Sequence, residues 1–280
     1  MKLIERFLEL INIEMEEPTV FGFFHLFCVL LVALSCFALF LRFRDSTDRT
    51  FRILIAVMAG TMILGEVIKQ TFYQMSVADG TLTFDYSWAD FPFQLCSTPL
   101  YVLPWLSILP DCRLRDLAAS YTMTFGLIGG VMVYLTPKTV FGTVVFGNFQ
   151  TMIHHGLQIV TGVYTAFYYR RRINYRFFFS GVAVFAVMLT VANLINTVGY
   201  DILLANGMIA EGDTLNMFYI SPRADQTVPV ASDLLKSFPP LVYIAGYFVV
   251  LSLIAGLIAY LTDLLHKESR KRMAARRVSD

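Results

Sequence analysis

Long, nearly unbroken runs of apolar residues alternate with short polar stretches along this chain. Each run is close to the roughly 20 residues that a helix needs to cross a bilayer core about 30 Å thick. The third run is the shortest and contains three prolines, so we expect a kinked or irregular span there. The pattern predicts an all-α, polytopic membrane bundle of seven transmembrane helices, at 19–41, 53–74, 91–109, 117–135, 149–169, 177–199 and 239–265.

The chain before the first run has a different pattern. Apolar residues recur there at helical spacing, and five glutamates contradict the basic start of a cleaved signal. We therefore interpret 1–18 as an interfacial segment, with a plain solvated lead-in as the alternative. The seven-helix domain is expected at 19–265, and a basic cytoplasmic tail at 266–280.

Composition and charge support a membrane class and give an orientation. The chain is 56% hydrophobic and 15% charged, too little polar surface for an ordinary soluble domain. Of the 22 lysines and arginines, 16 lie in alternate connections, at 42–52, 110–116, 170–176 and in the tail. The positive-inside rule then predicts an external N-terminus and an internal C-terminus in a multi-pass protein of the cell membrane. Its expected partners are membrane lipids and not nucleic acid; the oligomeric state stays open.

Several polar residues fall at similar depth in the outer halves of five predicted spans. Polar groups in hydrocarbon face one another or a wet cavity, because an unpaired one costs several kcal/mol. This layer is the candidate site, although Glu66 and Lys69 can form a local ion pair and the amides can simply join helices. Its members are His25, Glu66, Lys69, Cys96, His154, His155, Asn193 and Asn196.

Cys96 and the paired histidines give the layer its possible chemistry. A nearby imidazole can take the proton of a thiol and so create a strong nucleophile. His154 or His155 lies at matching depth. A metal site is disfavoured, since neighbouring side chains of a helix diverge by about 100°. We expect no cofactor and no disulfide framework.

Five motifs carry a resemblance to a known family: PFQLCSTPLYVL (92–103), MIHHGLQIV (152–160), VANLINTVGY (191–200), MFYISPR (217–223) and LLKSFPPLVY (234–243). With them the chain resembles the YwaF-type bacterial integral membrane proteins. These are similar to the eukaryotic transmembrane protein 164 group, which are acyltransferases of phospholipid remodelling. The resemblance implies that the cysteine of the LC motif, Cys96, carries the acyl chain. It also implies that a histidine of the fifth span assists, namely His155 or alternatively His154.

The leading hypothesis is therefore a lipid acyltransferase, or a related acyl hydrolase, with Cys96 as nucleophile and His155 as general base. Gln94 or nearby backbone N–H groups are candidates for the oxyanion site. The remaining polar residues of the layer would support the catalytic pair or bind the lipid headgroup. The competing hypothesis is a receptor-like or transport protein, in which the same layer is a small-molecule pocket.

Overall fold

The structure is a computed structural model that describes residues 2–78, 81–224 and 238–279. Apart from a β-hairpin of β1 (Met75–Ala78) and β2 (Thr81–Phe84), the long elements that it describes are helices. In chain order these are α1 (Lys2–Ile11), α2 (Phe23–Phe43), α3 (Asp48–Phe72), α4 (Pro99–Ile108), α5 (Arg113–Leu135), α6 (Val145–Tyr169), α7 (Tyr175–Ala205) and α8 (Pro240–Ser279). The start of the LLKSFPPLVY motif lies outside the described residues.

Five helices are long and apolar enough to cross a membrane: α2, α3, α5, α7 and the Pro240–Glu268 part of α8. The prediction of a helical, multi-pass membrane protein is thereby confirmed. The other two predicted spans correspond to α4 and α6. Helix α4 has only ten residues, and an irregular turn precedes it. Helix α6 has 25 residues but carries amide and imidazole side chains, and it is not among the five candidate spans.

Local sequence explains where the helices begin. Thr47 accepts a hydrogen bond from the backbone N–H of Thr50 and so caps α3. Asn174 accepts from the N–H groups of Arg176 and Phe177 and caps α7 in the same way. Pro99 stands in the first turn of α4, where its missing N–H would have no helical partner.

Ionic contacts gather three connections at one end of the bundle, which we call the basic end. Arg170, after α6, pairs with Asp45 and donates to the carbonyl of Arg44, both between α2 and α3. Arg172 lies 2.5 Å from Asp111, between α4 and α5. The connections α2–α3, α4–α5 and α6–α7 therefore lie at the same end.

The opposite end, which we call the site end, is joined by different contacts. His25 near the start of α2 lies 3.1 Å from the carbonyl of Tyr134 near the end of α5. Tyr243 near the start of α8 donates to the carbonyl of Tyr219, which follows α7. The starts of α2 and α8 therefore lie at the same end as the ends of α5 and α7.

Helix α5 is the centre of the bundle. Tyr121, Met123 and Phe125 are fully buried, and α5 packs against both α6 and α7. Residues Thr122–Gly126 form a wider π turn, and α7 has another at Ile195–Gly199. Each π turn adds one residue to the helical repeat and turns the following residues toward new neighbours.

The N-terminal segment packs on the site end. In α1, Leu8 and Ile11 are buried, and Phe7 contacts the ring of Phe72 at 4.6 Å. Farther along, Met15 donates from its backbone to the carbonyl of Thr143 just before α6, at 2.8 Å. At the other terminus the basic tail continues α8 as far as Ser279.

Candidate active site

His154 contacts the backbone of Cys96. Its Nε2 lies 3.1 Å from the Cys96 carbonyl oxygen. A carbonyl can only accept, so Nε2 carries the proton and donates it. In the neutral ring the other nitrogen, Nδ1, is an acceptor, and it is buried without a hydrogen-bond partner among the described residues. The bond to Cys96 therefore orients the His154 imidazole beside residue 96 and leaves Nδ1, on the other side of the ring, unpaired.

Cys96 lies in a turn that leads into α4. Ser97 and Thr98 donate from their backbone N–H groups to the carbonyl of Gln94, at 2.8 and 3.1 Å. In the described chain the N–H groups of Leu95 and Cys96 make no hydrogen bond, as is usual at the start of a helical turn. Cys96 is half-buried and forms no disulfide. No hydrogen bond joins its thiol to either histidine within the described residues.

Helix α5 packs closely against the turn that contains Cys96. A Cβ atom placed on Gly129 would lie 3.1 Å from Cys96 Cα and 2.7 Å from Nε2 of Gln158. Gln158 is 1% exposed and donates from Nε2 to the carbonyl of Gly126 at 2.7 Å. Its Oε1 is buried and unpaired in the part of the chain that the structure describes. The sequence analysis missed Gln158, although it stands four residues after His154 and so on the same face of α6.

His155 faces a different neighbour. Its Nδ1 donates to the carbonyl of Thr151 at 2.7 Å, one turn earlier in α6. Its backbone lies against Gly130 of α5, since a Cβ atom there would be 2.9 Å from the His155 carbonyl oxygen. The ring centroids of the two histidines are 5.1 Å apart. Of the two, His154 is the one that makes a hydrogen bond with residue 96.

Glu66 lies on the His154 side of α6 and is 8% exposed. Gln70 donates to its carboxylate at 2.7 Å, and Gln150, one turn before His154, donates at 3.4 Å. The Lys69 ammonium is 3.8 Å away, so the predicted ion pair is present but loose. Amides, which the sequence analysis did not consider, satisfy this carboxylate more closely than lysine does.

Gln94 and Asn196 hold a turn that closes the site end. Gln94 donates to the carbonyl of Asn216 and accepts from the N–H of Phe218, at 2.8 and 2.7 Å. Asn196 makes the same two-way pair with the N–H and carbonyl of Met217, at 2.7 and 2.9 Å. Phe218 has a φ of 57°, which non-glycine residues rarely adopt. The two amides therefore stabilise a strained turn.

Within the described residues, two predicted members of the layer make no hydrogen bond to the Cys96 turn. Both ring nitrogens of His25 are bonded, to the N–H of Phe21 and the carbonyl of Tyr134, so this histidine joins α2 to α5. Asn193 contributes its carbonyl to Thr197 in the second π turn. The described residues contain no group of three histidine, cysteine or acidic side chains that could hold a metal ion.

The comparisons with known proteins give one match. No curated protein and no solved structure matches the chain. The TMEM164 family model, however, matches residues 20–272, a stretch that contains the histidine pair, the LC motif and all five candidate membrane spans. The expected likeness to transmembrane protein 164 is confirmed, and the chain belongs to the TMEM164 family.

Proposed function

We propose that the protein is a membrane-embedded lipid acyltransferase or acyl hydrolase that works through an acyl thioester on Cys96. One observation carries the proposal. His154 donates one ring nitrogen to the Cys96 carbonyl at 3.1 Å and keeps the other, buried and unpaired, as an acceptor. Nucleophilic catalysis needs an imidazole held close to the cysteine with a nitrogen that can accept the thiol proton, and His154 supplies both once the Cys96 side chain turns toward Nδ1.

The reaction follows from these groups. The thiol proton moves to His154 Nδ1, and the sulfur attacks the carbonyl carbon of a lipid ester. The ester bond breaks, the leaving alcohol takes the proton from His154, and the acyl chain remains on Cys96. What favours His154 over His155 as the base is its contact with residue 96, whereas Nδ1 of His155 is bonded within its own helix.

Backbone groups of the Cys96 turn are suited to the oxyanion. The N–H groups of Leu95 and Cys96 are unpaired within the described residues and belong to the residues that open the turn. Donors fixed in this way stabilise the negative oxygen of a tetrahedral intermediate. The Gln94 amide, the other candidate, is already engaged with Asn216 and Phe218.

Lys69 and Glu66 would interact with the headgroup region of the substrate. Lys69 is about one third exposed and pairs only loosely with Glu66, at 3.8 Å. Its ammonium group is therefore free to bind a lipid phosphate. Glu66, held by Gln70 and Gln150, keeps this end of α3 in register with α6.

The proposed membrane arrangement has seven spans, an external N-terminus and an internal C-terminus in the cell membrane. Its support is that α6 begins beside the end of α3 and ends at the basic end. Helix α4 also ends at the basic end, where Arg52 donates to the carbonyls of Ser107 and Ile108. Arginines also concentrate at the basic end, which the positive-inside rule assigns to the cytoplasm. Single cysteines on a cysteine-free background test this. A residue in 170–176 should resist a membrane-impermeant thiol reagent in intact cells, and labelling there would refute the arrangement.

The decisive experiment is intact-mass analysis of purified protein after incubation with phosphatidylcholine vesicles and acid quenching. We expect a hydroxylamine-labile acyl adduct, lost in Cys96→Ser and kept in the matched control Cys36→Ser. His154→Ala should slow adduct formation at least about 100-fold, the usual contribution of a general base. His155→Ala should have a smaller effect. Full lipid turnover by Cys96→Ser would refute the thioester and favour the pocket of a receptor or transporter.

A further inference from the structure

Two buried hydrogen-bond acceptors on α6 lack partners, and their residues are one helical turn apart. They are Nδ1 of His154 and Oε1 of Gln158, neither of which is bonded to any described residue. Their residues are only 4% and 1% exposed. A buried acceptor without a donor costs about 1–3 kcal/mol, and side chains at i and i+4 of a helix are neighbours. The pair therefore points to a ligand that donates two hydrogen bonds.

Both acceptors are held in place by the donor atoms of the same side chains. Nε2 of His154 donates to the Cys96 carbonyl, and Nε2 of Gln158 donates to the Gly126 carbonyl. Neither group can turn its free atom away without breaking that bond. The close approach of Gly129 to Gln158 and to Cys96 Cα brings Gln158 next to the proposed nucleophile.

We propose that His154 Nδ1 and Gln158 Oε1 bind a water molecule, and that this water hydrolyses the acyl thioester on Cys96. The inference rests on the proposed function and names its acyl acceptor. A water donates two hydrogen bonds and keeps its lone pairs for attack, whereas the hydroxyl of an alcohol donates one and would leave one acceptor unpaired. Gln158 is then a further catalytic residue.

These groups account for every proton and bond in the hydrolysis of the thioester. His154 Nδ1 takes one proton of the water, and the water oxygen forms a bond to the thioester carbonyl carbon. The carbon–sulfur bond then breaks, and a free fatty acid leaves. The Cys96 sulfur departs as a thiolate and recovers the proton from His154. Gln158 Oε1 holds the second hydrogen of the water throughout and orients the attacking lone pair.

The test separates formation of the acyl thioester on Cys96 from its hydrolysis. Full-length protein is incubated with phosphatidylcholine vesicles, and both the Cys96 adduct and released fatty acid are followed over time. In Gln158→Met the adduct should form at the wild-type rate but persist, with fatty acid release at least about tenfold slower, as expected for one lost transition-state contact. Gln158→Glu, protonated at this buried position, can donate to the Gly126 carbonyl and keep an acceptor oxygen, so it should recover part of the release.

The matched control is Ser120→Ala, which removes another buried hydrogen bond of α5, from the N–H of Gly181. It should change neither step. If Gln158→Met slows both steps alike, or if Gln158→Glu is no better, Gln158 is only structural and the inference fails. A wild-type protein that transfers the chain to added lysophospholipid instead of releasing fatty acid would also overturn it. Absence of any adduct and any release in all variants would instead refute the proposed function itself.

Discussion

The close approach of α5 to the Cys96 turn makes Gly129→Ala the most direct test of the site geometry. The added methyl group would lie 2.7 Å from Gln158 Nε2, 3.1 Å from Cys96 Cα and 3.2 Å from Cys96 N. The Gln158 amide is the end of a side chain and can move. The Cys96 contacts are to backbone, so the turn itself must shift by a few tenths of an ångström.

The expected magnitude combines two opposed terms. Overpacking a buried contact lowers the free energy of unfolding by about 1–3 kcal/mol. Replacing glycine by alanine inside a helix raises it by about 0.5–1 kcal/mol. The net loss is about 0–2.5 kcal/mol. At roughly 2–4 °C for each kcal/mol in a chain somewhat shorter than this one, the unfolding midpoint falls by up to about 10 °C.

Two measurements on detergent-solubilised protein check this prediction. The first is the thermal unfolding midpoint, and the second is the rate at which a maleimide labels Cys96 in a variant without the other three cysteines. The control is Gly60→Ala in α3, where an added methyl group would have nothing within 4 Å. It should raise the midpoint slightly and leave the labelling rate unchanged. A Gly129→Ala protein that behaves like this control would show that α5 and the Cys96 turn are not in contact.

Three further predictions concern contacts at the two ends of the bundle. Glu66→Gln should destabilise the protein more than Glu66→Gln with Lys69→Met, measured by thermal unfolding, because a lone charge at a half-buried site keeps its desolvation cost. Asn196→Leu leaves the N–H of Met217 without a partner, while its carbonyl keeps the bond from the N–H of Ile220; a loss of about 1–3 kcal/mol and faster proteolysis after α7 should follow. The hydrogen bond from Arg170 lowers the pKa of Asp45, so its contribution is present at neutral pH and is lost as pH falls through that lowered pKa. Asp45→Asn should thus cost under about 1 kcal/mol at pH 7, since the carboxylate is exposed, and nothing once the carboxyl is protonated.

The apolar runs could be predicted well, because hydrocarbon requires long segments whose backbone bonds are internal. The five candidate spans lie where the sequence places spans one, two, four, six and seven. The proline-rich third run was expected to be irregular, and its helix begins only at Pro99. The π turns of α5 and α7 could not be foreseen, since one inserted residue leaves the hydrophobicity of a run unchanged.

The depth of the candidate site along the helices could be predicted from the sequence. The direction in which its side chains point around each helix could not. Counting residues from the ends of the spans put Cys96, His154 and Glu66 in one layer, and contacts through His154 and Gln150 join their segments. Which histidine meets residue 96 depends on the rotation of α6 about its axis. Packing against α5 sets that rotation, and because both histidines belong to the polar stripe of α6 that also holds Thr151 and Gln158, the spacing does not choose between them. Gln158 stands on that stripe, one turn after His154, and could have been found from this spacing.

The ionic contacts of the basic end also determine how the helices can separate. Because Arg170, just after α6, is bound there to the α2–α3 connection, a tilt of α6 would pivot about the basic end. Helix α6 has 25 residues and is therefore about 37 Å long. A tilt of about 6° carries its far tip about 4 Å, close to the width of a hydrocarbon chain. Such a tilt would open a lateral gap at the site end, between helices that stay joined at the basic end.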